Sequence, residues 1–289
     1  MSIYAVRHVT RYRYSAPIHE NVMEARMLPR TEGGQRCFQF NLSVTPQAQV
    51  DVYQDYLGNA IHHFDIPRRH VQLSLTAESI VDVQPPDPLP EALDDSAWTG
   101  VSALANDGTF WDLLQPSHFA RPTPLLHDLT RELTLNRAAD PLTTLRRLNE
   151  ALYNGFDYAP QSTRVDSPID EAIAARRGVC QDFTHIMLAL ARELGLPARY
   201  VSGYLYHERE SDDRSAEDAS HAWVEVYLPE FGWIGFDPTN NLVTSDRHIR
   251  VAVGCDYADV PARHLQRPGP GRVERQCQRQ PGRHLARVG

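Results

Sequence analysis

Apolar residues recur with the period of an α-helix between Cys180 and Pro197. They fall three and four positions apart and form one stripe, made of Phe183, Ile186, Met187, Leu190, Ala191 and Leu194. Gly195 stands where a glycine commonly ends a helix, and Pro197 prevents the helix from resuming. The pattern therefore predicts a buried helix that carries Cys180 in its first turn.

Apolar and polar residues alternate between His221 and Leu228, which is typical of a β-strand. Residues 229–232 have the composition of a turn, and a return strand is predicted over 233–237. In this hairpin, Asp237 shares a face with His221 only if the loop has an odd number of residues or contains a β-bulge. Gly232 suits a left-handed position in such a loop.

Short strand-like segments separated by turn residues fill the first part of the chain, near 3–14, 22–28, 37–45, 50–56, 60–66 and 71–83. This spacing predicts a β-sandwich-like module over residues 1–83. A proline-rich stretch then predicts a linker over 84–100. Beyond it, Asp140-Pro141 and Ser167-Pro168 each place a capping residue before a proline, as at helix starts. We therefore predict an α+β fold with a second domain over 101–260.

Composition limits the classes of function. The 289 residues carry a net charge of −8, which argues against a nucleic-acid partner, and no apolar run is long enough to cross a membrane. The N-terminal residues lack the regions of a signal peptide, so we expect a cytoplasmic location. The cysteines at 37, 180, 255 and 277 form no Cys-x-x-Cys pair, so we predict no metal site and no cofactor. Cys37 is expected to pack in a strand as a small apolar residue.

Cys180, His221 and Asp237 have the residue types and the order of a thiol nucleophile, its base and the carboxylate that orients the base. The positive end of the helix dipole favours a thiolate at Cys180. The backbone N–H groups at that helix end could also hold a developing oxyanion. Gly178 permits an unusual backbone angle or a close approach just before the nucleophile. We predict these three residues as the catalytic site.

Other residues offer alternative readings of the site. His185 is a rival base, but five helical positions place it about 140° around the helix from Cys180. Tyr158 is a weaker candidate for an oxyanion donor, since aromatic core residues are far commoner. Trp223 shares the predicted face of His221 and either shields the site from water or packs in the core. The polar stretch 207–218 reads as a solvated loop that could gate substrate entry.

Four motifs resemble the core of the transglutaminase-like superfamily, and more narrowly its bacterial group with an additional N-terminal region. They are Arg-Arg-Gly-Val-Cys-Gln-Asp-Phe, Pro-Ala-Arg-Tyr-Val-Ser-Gly-Tyr, His-Ala-Trp-Val-Glu-Val and Phe-Asp-Pro-Thr-Asn. The resemblance extends over roughly residues 1 to 260. It implies a papain-like catalytic domain over 101–260, with Cys180, His221 and Asp237 at the positions of the family's triad. It also implies thiol-dependent acyl transfer on peptide or amide substrates.

The resemblance leaves the reaction open between hydrolysis, transamidation and a catalytically silent peptide-binding module. We expect hydrolysis, because water is always available and no residues mark a dedicated acceptor site. The chain contains no lysine, so all 29 basic residues are arginines and self-crosslinking through lysine is impossible. The sequence does not indicate the oligomeric state.

The C-terminal segment 261–289 differs from the rest of the chain, because it holds seven arginines, one acidic residue and no aromatic residue. Its composition predicts a basic, disordered tail, with nucleic-acid binding as a minor alternative. Proteins of the resembled family usually continue here into a glycine-aromatic turn and a closing strand. We therefore hypothesise a reading-frame shift after Pro261, which touches no triad residue.

Overall fold

The computed structural model describes residues 2–94, 96–137, 139–208, 211–215 and 220–261, together with 263–264, 273–276 and 285–288. The chain divides into two compact units. The first comprises Met1–Pro85, Asp246–Ala252 and Val260–Gly289, and the second comprises Pro86–Ser245 and Val253–Asp259. Each unit is described below by itself.

The first unit is built from antiparallel strands: β1 (Ser2–Ile18), β2 (Asn21–Ala25), β3 (Gln35–Thr45), β4 (Val50–Gln54), β5 (Ala60–Ile66) and β6 (His70–Val83). One sheet contains β1, β6 and β3 as neighbours, and the other contains β2, β5 and β4. A shared apolar core takes side chains from both sheets, among them Tyr12, Met23, Phe64 and Leu75. These strands confirm the predicted β-sandwich-like module, and Cys37 lies in β3 as expected.

The second unit combines helices with a sheet. Its helices are α1 (Ala97–Asp107), α2 (Trp111–Leu114), α3 (Pro124–Glu132), α4 (Pro141–Gly155), α5 (Ile169–Ala175) and α6 (Cys180–Glu193). Between them, β7 (Asp157–Tyr158) and β8 (Arg177–Gly178) form a short parallel pair. The strands β9 (Ala198–Leu205), β10 (His221–Leu228), β11 (Gly232–Asp237), β12 (Leu242–Val243) and β13 (His248–Gly254) are ordered β12–β11–β10–β9–β13. The α+β fold class is confirmed.

Different hydrogen bonds define the two ends of α6. At its start, the backbone N–H of Val179 donates to the Asp182 carboxylate at 2.8 Å, which satisfies a donor that the helix leaves unpaired. At its end, Gly195 adopts a left-handed φ of 76°. The N–H groups of Gly195 and Leu196 then donate to Arg192 and Ala191 in a Schellman motif. The predicted apolar stripe is buried throughout the helix.

The β10–β11 hairpin has the register that the triad requires. Leu228 pairs with Gly232, so three residues form the loop, and the number of residues is odd as predicted. Gly232 has a φ of 71°, the left-handed conformation expected for it. In this register Trp223 lies opposite Asp237 when the β10–β11 pairing is continued, which puts His221 and Asp237 on one face.

The two predicted helix caps have different outcomes. Asp140 accepts hydrogen bonds from the N–H groups of Leu142 and Thr143 at 3.0 and 3.1 Å, as predicted for the start of α4. Ser167 does not cap α5, which has Pro168 at its N-cap position. The Ser167 hydroxyl instead donates to Glu171 and accepts from the Arg164 N–H, so it is already occupied.

A buried arginine of α6 joins several segments of the second unit. All five N–H directions of the Arg192 guanidinium are used. They reach the carbonyls of Leu113, Gln115, Ala198 and Cys255 and the hydroxyl of Ser117, at 2.6 to 3.2 Å. Burial lowers the pKa of Arg192, while Cys255, Asp256 and Asp259 act in the opposite direction. Four backbone carbonyls and one hydroxyl therefore replace the water that the cation loses on burial.

Domain boundaries differ from the prediction in two places. The second domain was predicted to run unbroken from 101 to 260, whereas Asp246–Ala252 belongs to the first unit. The Gln35 side chain holds this segment through hydrogen bonds of 2.8 Å with both the N–H and the carbonyl of Arg250. The linker was predicted over 84–100, but α1 already begins at Ala97.

The segment 261–289 contains three short strands among its described positions. β14 (Arg263–His264) pairs with β2, while β15 (Val273–Gln276) and β16 (Leu285–Val288) pair with β1. The composition alone gave no sign of these strands. The predicted disorder and the proposed frame shift concern mainly residues outside the described ones and stay predictions.

Candidate active site

Cys180 is the first residue of α6 and is partly exposed. Gly178 makes this placement possible, because a Cβ at that position would lie 2.8 Å from the Asp182 carboxylate oxygen. Asp182 in turn accepts from the Thr163 hydroxyl at 2.6 Å and from the Val179 N–H. The predicted close approach at Gly178 is therefore confirmed, and it fixes the helix start that carries the thiol.

His221 and Asp237 form a buried pair across the hairpin. The His221 Nε2 lies 2.7 Å from Asp237 Oδ2, and the two side chains are 2% and 0% exposed. The Cys180 side chain is close enough to the same imidazole to raise its pKa. Because Asp237 engages Nε2, Nδ1 is the ring nitrogen that remains for the thiol. The structure thus brings the three predicted residues together, with His221 between the other two in its interactions.

The electrostatics of this arrangement favour an imidazolium. Burial acts to lower the pKa of His221, but the Asp237 carboxylate and the Cys180 side chain outweigh it and raise the pKa to about 10. The carboxylate contributes most of this upward effect, through charge and a hydrogen bond. A protonated His221 beside a thiol is the arrangement expected of a thiolate–imidazolium pair.

Asn240 is a site residue that the sequence analysis did not identify. Its Nδ2 donates to Asp237 Oδ2 at 2.7 Å and lies 3.4 Å from His221 Nε2. Asp237 Oδ1 accepts from the backbone N–H groups of Thr239 and Asn240. The available signal was the Asp-Pro-Thr-Asn turn, in which the short side chains commonly bond to nearby backbone.

The sequence predicted a solvated loop before His221, but part of this loop is buried. Ser215 is buried, and its hydroxyl accepts from Asn240 Nδ2 at 3.1 Å. His207 Nε2 lies 3.1 Å from the same hydroxyl. Residues 209–210 and 216–219 lie outside the described part, so gating by this loop stays a prediction.

His185, the rival base, faces a different environment. Its ring stacks on Phe119 at 5.2 Å, and its Nε2 accepts from the Tyr257 N–H at 3.1 Å. Burial lowers its pKa to about 3, with Arg192 and His118 acting in the same direction against Asp256. A neutral histidine that already accepts a backbone hydrogen bond does not serve the thiol.

Two aromatic residues border the site. Trp223 is fully buried, and its ring centroid lies 6.2 Å from that of His221. Trp223 therefore fits both roles that the sequence offered for it, because it packs in the core and also covers the imidazole. Tyr158 pairs with Gly178 in the β7–β8 ladder, close in sequence to the nucleophile. Its role as an oxyanion donor stays a prediction.

Within the described residues, no group of three or more His, Cys, Asp or Glu side chains is arranged to hold a metal ion. Among the helices in the described part of the chain, none combines the length and apolar character needed to cross a membrane. The cytoplasmic location stays a prediction.

Comparison with known proteins places this geometry in a family. The sequence profile of the bacterial transglutaminase-like N-terminal region matches residues 4–82, and that of the transglutaminase-like superfamily matches residues 127–238. The uncharacterized protein Rv2569c of Mycobacterium tuberculosis is 34% identical over 284 residues, covering 89% of this chain and 85% of the relative. A protein-glutamine gamma-glutamyltransferase of Pseudomonas aeruginosa is 30% identical over 170 residues, covering 56% of this chain and 25% of the relative.

A solved structure shares the fold over the whole chain. It is a candidate cysteine protease from Cytophaga hutchinsonii, with a TM-score of 0.68 and 20% sequence identity, covering 99% of this chain and 98% of that one. Matching profiles for the two parts of the chain, full-length relatives and a shared fold agree with one another. The chain belongs to the transglutaminase-like superfamily, in its bacterial group with an N-terminal region.

Proposed function

We propose that this protein is a thiol-dependent acyl-transfer enzyme that acts on amide or peptide bonds. Cys180 is the nucleophile, His221 is the general base and acid, and Asp237 orients the imidazole. The observation that supports this most directly is the buried contact of 2.7 Å between His221 and Asp237, in an imidazole whose pKa the Cys180 side chain also raises.

The proposed reaction uses these groups in turn. The Cys180 thiolate attacks the amide carbonyl, and the N–H groups in the first turn of α6 stabilise the resulting oxyanion. His221 then gives its proton to the leaving nitrogen, the C–N bond breaks, and a thioester forms. His221 next removes a proton from water, and the hydroxide attacks the thioester. The C–S bond breaks and the carboxylic acid leaves. The sulfur departs as a thiolate beside the protonated His221, which restores the starting pair.

Hydrolysis is the proposed outcome, and transamidation is the second candidate. In transamidation an amine takes the place of water and yields a new amide. The observation that favours it is the similarity, over 56% of this chain, to a protein named as a gamma-glutamyltransferase. Because this chain has no lysine, an acceptor amine must come from another molecule or from its own N-terminus.

A peptide-amide library in water enriched in oxygen-18, with and without an added primary amine, separates the two outcomes. Hydrolysis gives carboxylic acids that carry the heavy oxygen, whereas transamidation gives a new amide in which the added amine replaces the leaving amine. Mass spectrometry reads both products in one sample. We expect labelled acids to predominate even with the amine present.

Variants at the thiol test the mechanism itself. Cys180→Ala should abolish turnover and Cys180→Ser should be nearly inactive, because no substitute nucleophile of similar acidity is available. Cys37→Ala and Cys255→Ala are matched controls that should retain turnover. Turnover by folded Cys180→Ala protein would overturn the proposal.

Alkylation with iodoacetamide tests the silent-module alternative without a substrate. At pH 6 the peptide that holds Cys180 should be modified much faster than the one that holds Cys37, whose pKa is raised by burial. Equal, slow modification of the two thiols would favour a silent binding module.

A further inference from the structure

The side-chain amide of Asn240 is satisfied at both ends. Its nitrogen donates to Asp237 Oδ2 at 2.7 Å and to the Ser215 hydroxyl at 3.1 Å. Its oxygen accepts from the backbone N–H groups of Arg214 and Ser215 at 2.7 and 3.2 Å. Two donors and two acceptor positions are the full capacity of an amide, so its orientation is fixed.

The short segment that hydrogen-bonds Asn240, Arg214-Ser215, is itself anchored to α4. The Arg214 guanidinium donates to the carbonyls of Tyr153 and Phe156 at 2.7 and 3.2 Å. It also lies over the Tyr153 ring, 3.5 Å from the centroid. These carbonyls are at the C-terminal end of α4, where unpaired acceptors and the helix dipole both favour a cation.

We propose that Asn240 is a positioning residue for the catalytic carboxylate, and that Arg214 acts through Asn240 by holding it in place. The inference rests on the proposed function, because it assigns a role toward the Cys180–His221–Asp237 triad. A continuous series of contacts then joins the end of α4 to the His221 imidazole.

The shared oxygen gives the physical reason. Asp237 Oδ2 accepts from both His221 Nε2 and Asn240 Nδ2, each at 2.7 Å. The Asn240 contact therefore supports the carboxylate's charge and limits rotation of the carboxylate away from the imidazole. Because a buried carboxylate depends on donated hydrogen bonds, losing this donor weakens the charge that sustains the imidazolium.

Asn240→Leu is the most discriminating variant. A leucine keeps the branched shape and adds no charge, but it cannot donate to Asp237. A role in packing alone predicts that Asn240→Leu retains the reactivity of Cys180. A positioning role predicts that Asn240→Leu and Asn240→Ala both lose it.

The readout is the rate of Cys180 alkylation by iodoacetamide between pH 5 and 9, followed on the Cys180 peptide by mass spectrometry in the full-length protein. A thermal melt checks folding. The titratable or charged groups around the amide are Asp237, His221, His207 and Arg214, and Cys180 also acts on His221. Arg146→Ala is the control, since Arg146 also donates to a backbone carbonyl, that of Glu91, away from the triad.

We expect Asn240→Leu and Asn240→Ala to slow alkylation at pH 6 by roughly 10- to 100-fold, as for one lost hydrogen bond to a charged group. The acid limb of the profile should move to higher pH. Arg214→Ala should give a smaller loss, Arg214→Lys should partly restore the rate, and Arg146→Ala should match the wild type. In the Asn240→Ala background, Arg214→Ala should add nothing further.

Two results would overturn the inference and are distinguishable. If the wild type reacts rapidly at pH 6 while folded Asn240→Leu and Arg214→Ala show the same profile, the positioning role is wrong and the proposed function stands. If the wild-type Cys180 reacts no faster than Cys37, the proposed function fails and this inference fails with it. Arg214→Ala alters only a half-buried side chain, so it keeps the test usable if a variant at 240 does not fold.

Discussion

At the scale of single residues, the Asp237 carboxylate illustrates how the site is held. It accepts from one imidazole, one amide side chain and two backbone N–H groups, and it has no exposed surface. Its charge is therefore stabilised by fixed donors rather than by water.

Asp237→Asn should leave the fold intact but lower turnover by about 10²- to 10⁴-fold, because the amide favours the wrong imidazole tautomer. Turnover of one amide substrate and a thermal melt measure the two effects. Asp157→Asn is a suitable control, because Asp157 is exposed. Near-normal turnover in Asp237→Asn would argue against an orienting role.

The raised pKa of His221 has a consequence for stability. Its folded-state pKa of about 10 lies above the ordinary value of 6.5, so protonation favours the folded state. This contribution is fully present below about pH 6.5 and is lost as the pH rises through about 10. Urea unfolding at pH 6, 8 and 10 should therefore show the wild type's advantage over Asp237→Asn shrinking with pH. An advantage that grows toward pH 10 would contradict the assignment.

His185→Ala should separate packing from catalysis. The change removes a stacked ring and leaves the Tyr257 N–H without its acceptor, so we expect a loss of about 2–4 kcal/mol in the free energy of unfolding. Alkylation of Cys180 in the folded variant should stay close to the wild-type rate. A loss of thiol reactivity without a loss of stability would revive His185 as the base.

At the scale of elements, the hairpin that joins base and carboxylate depends on one backbone conformation. Gly232 closes a loop of three residues with a φ of 71°, and the Phe231 N–H donates to the Leu228 carbonyl at 3.0 Å. A side chain there would meet no atom within 4 Å, so only the backbone angle constrains the position.

Gly232→Ala should lower the free energy of unfolding by about 1–2 kcal/mol, because left-handed backbone is unfavourable for alanine. Gly155→Ala is a matched control. A Cβ at Gly155 also meets nothing within 4 Å, but Gly155 is the last residue of α4 and has no left-handed φ. Gly155→Ala should raise the free energy by up to about 1 kcal/mol. Urea titrations measure the free energy of unfolding of both variants. Equal changes in the two variants would show that the backbone angle at Gly232 does not determine the effect.

The elements that carry the triad were predictable from the sequence for physical reasons. The stripe of α6, the alternation of β10 and Gly232 are local signals of period, register and turn conformation. The Ser167 cap was wrong because a nearby carboxylate and N–H competed for its hydroxyl. Propensity does not reveal such local competition.

At the scale of the whole molecule, the contacts that sequence reasoning missed join distant segments. Asn240 contacts Arg214 and Ser215 across a loop, and Gln35 binds Arg250 from 215 residues away. Neither contact leaves a periodic or compositional signal in the chain. The discontinuous first unit escaped prediction for the same reason.

Arg192 allows a whole-molecule prediction. Arg192→Lys keeps the charge but offers three donors to five acceptors, so at least two acceptors lose their hydrogen bonds. We expect a loss of about 2–5 kcal/mol in the free energy of unfolding, measured in urea. Arg131→Lys, at an exposed side chain of α3, should change it by less than about 0.5 kcal/mol. A small effect at 192 would mean that water fills the vacated positions.

The same guanidinium affects how the nucleophile's helix can open. Residues 113–117, 198 and 255 are all fastened to one side chain of α6. The C-terminal half of this helix therefore cannot unfold by itself. Unfolding it would break the hydrogen bonds of Arg192 and so release three other segments at once. Amide protons in these segments should therefore exchange with solvent through one shared, rare unfolding event. The local structure around the thiol would be lost only when much of the second unit unfolds.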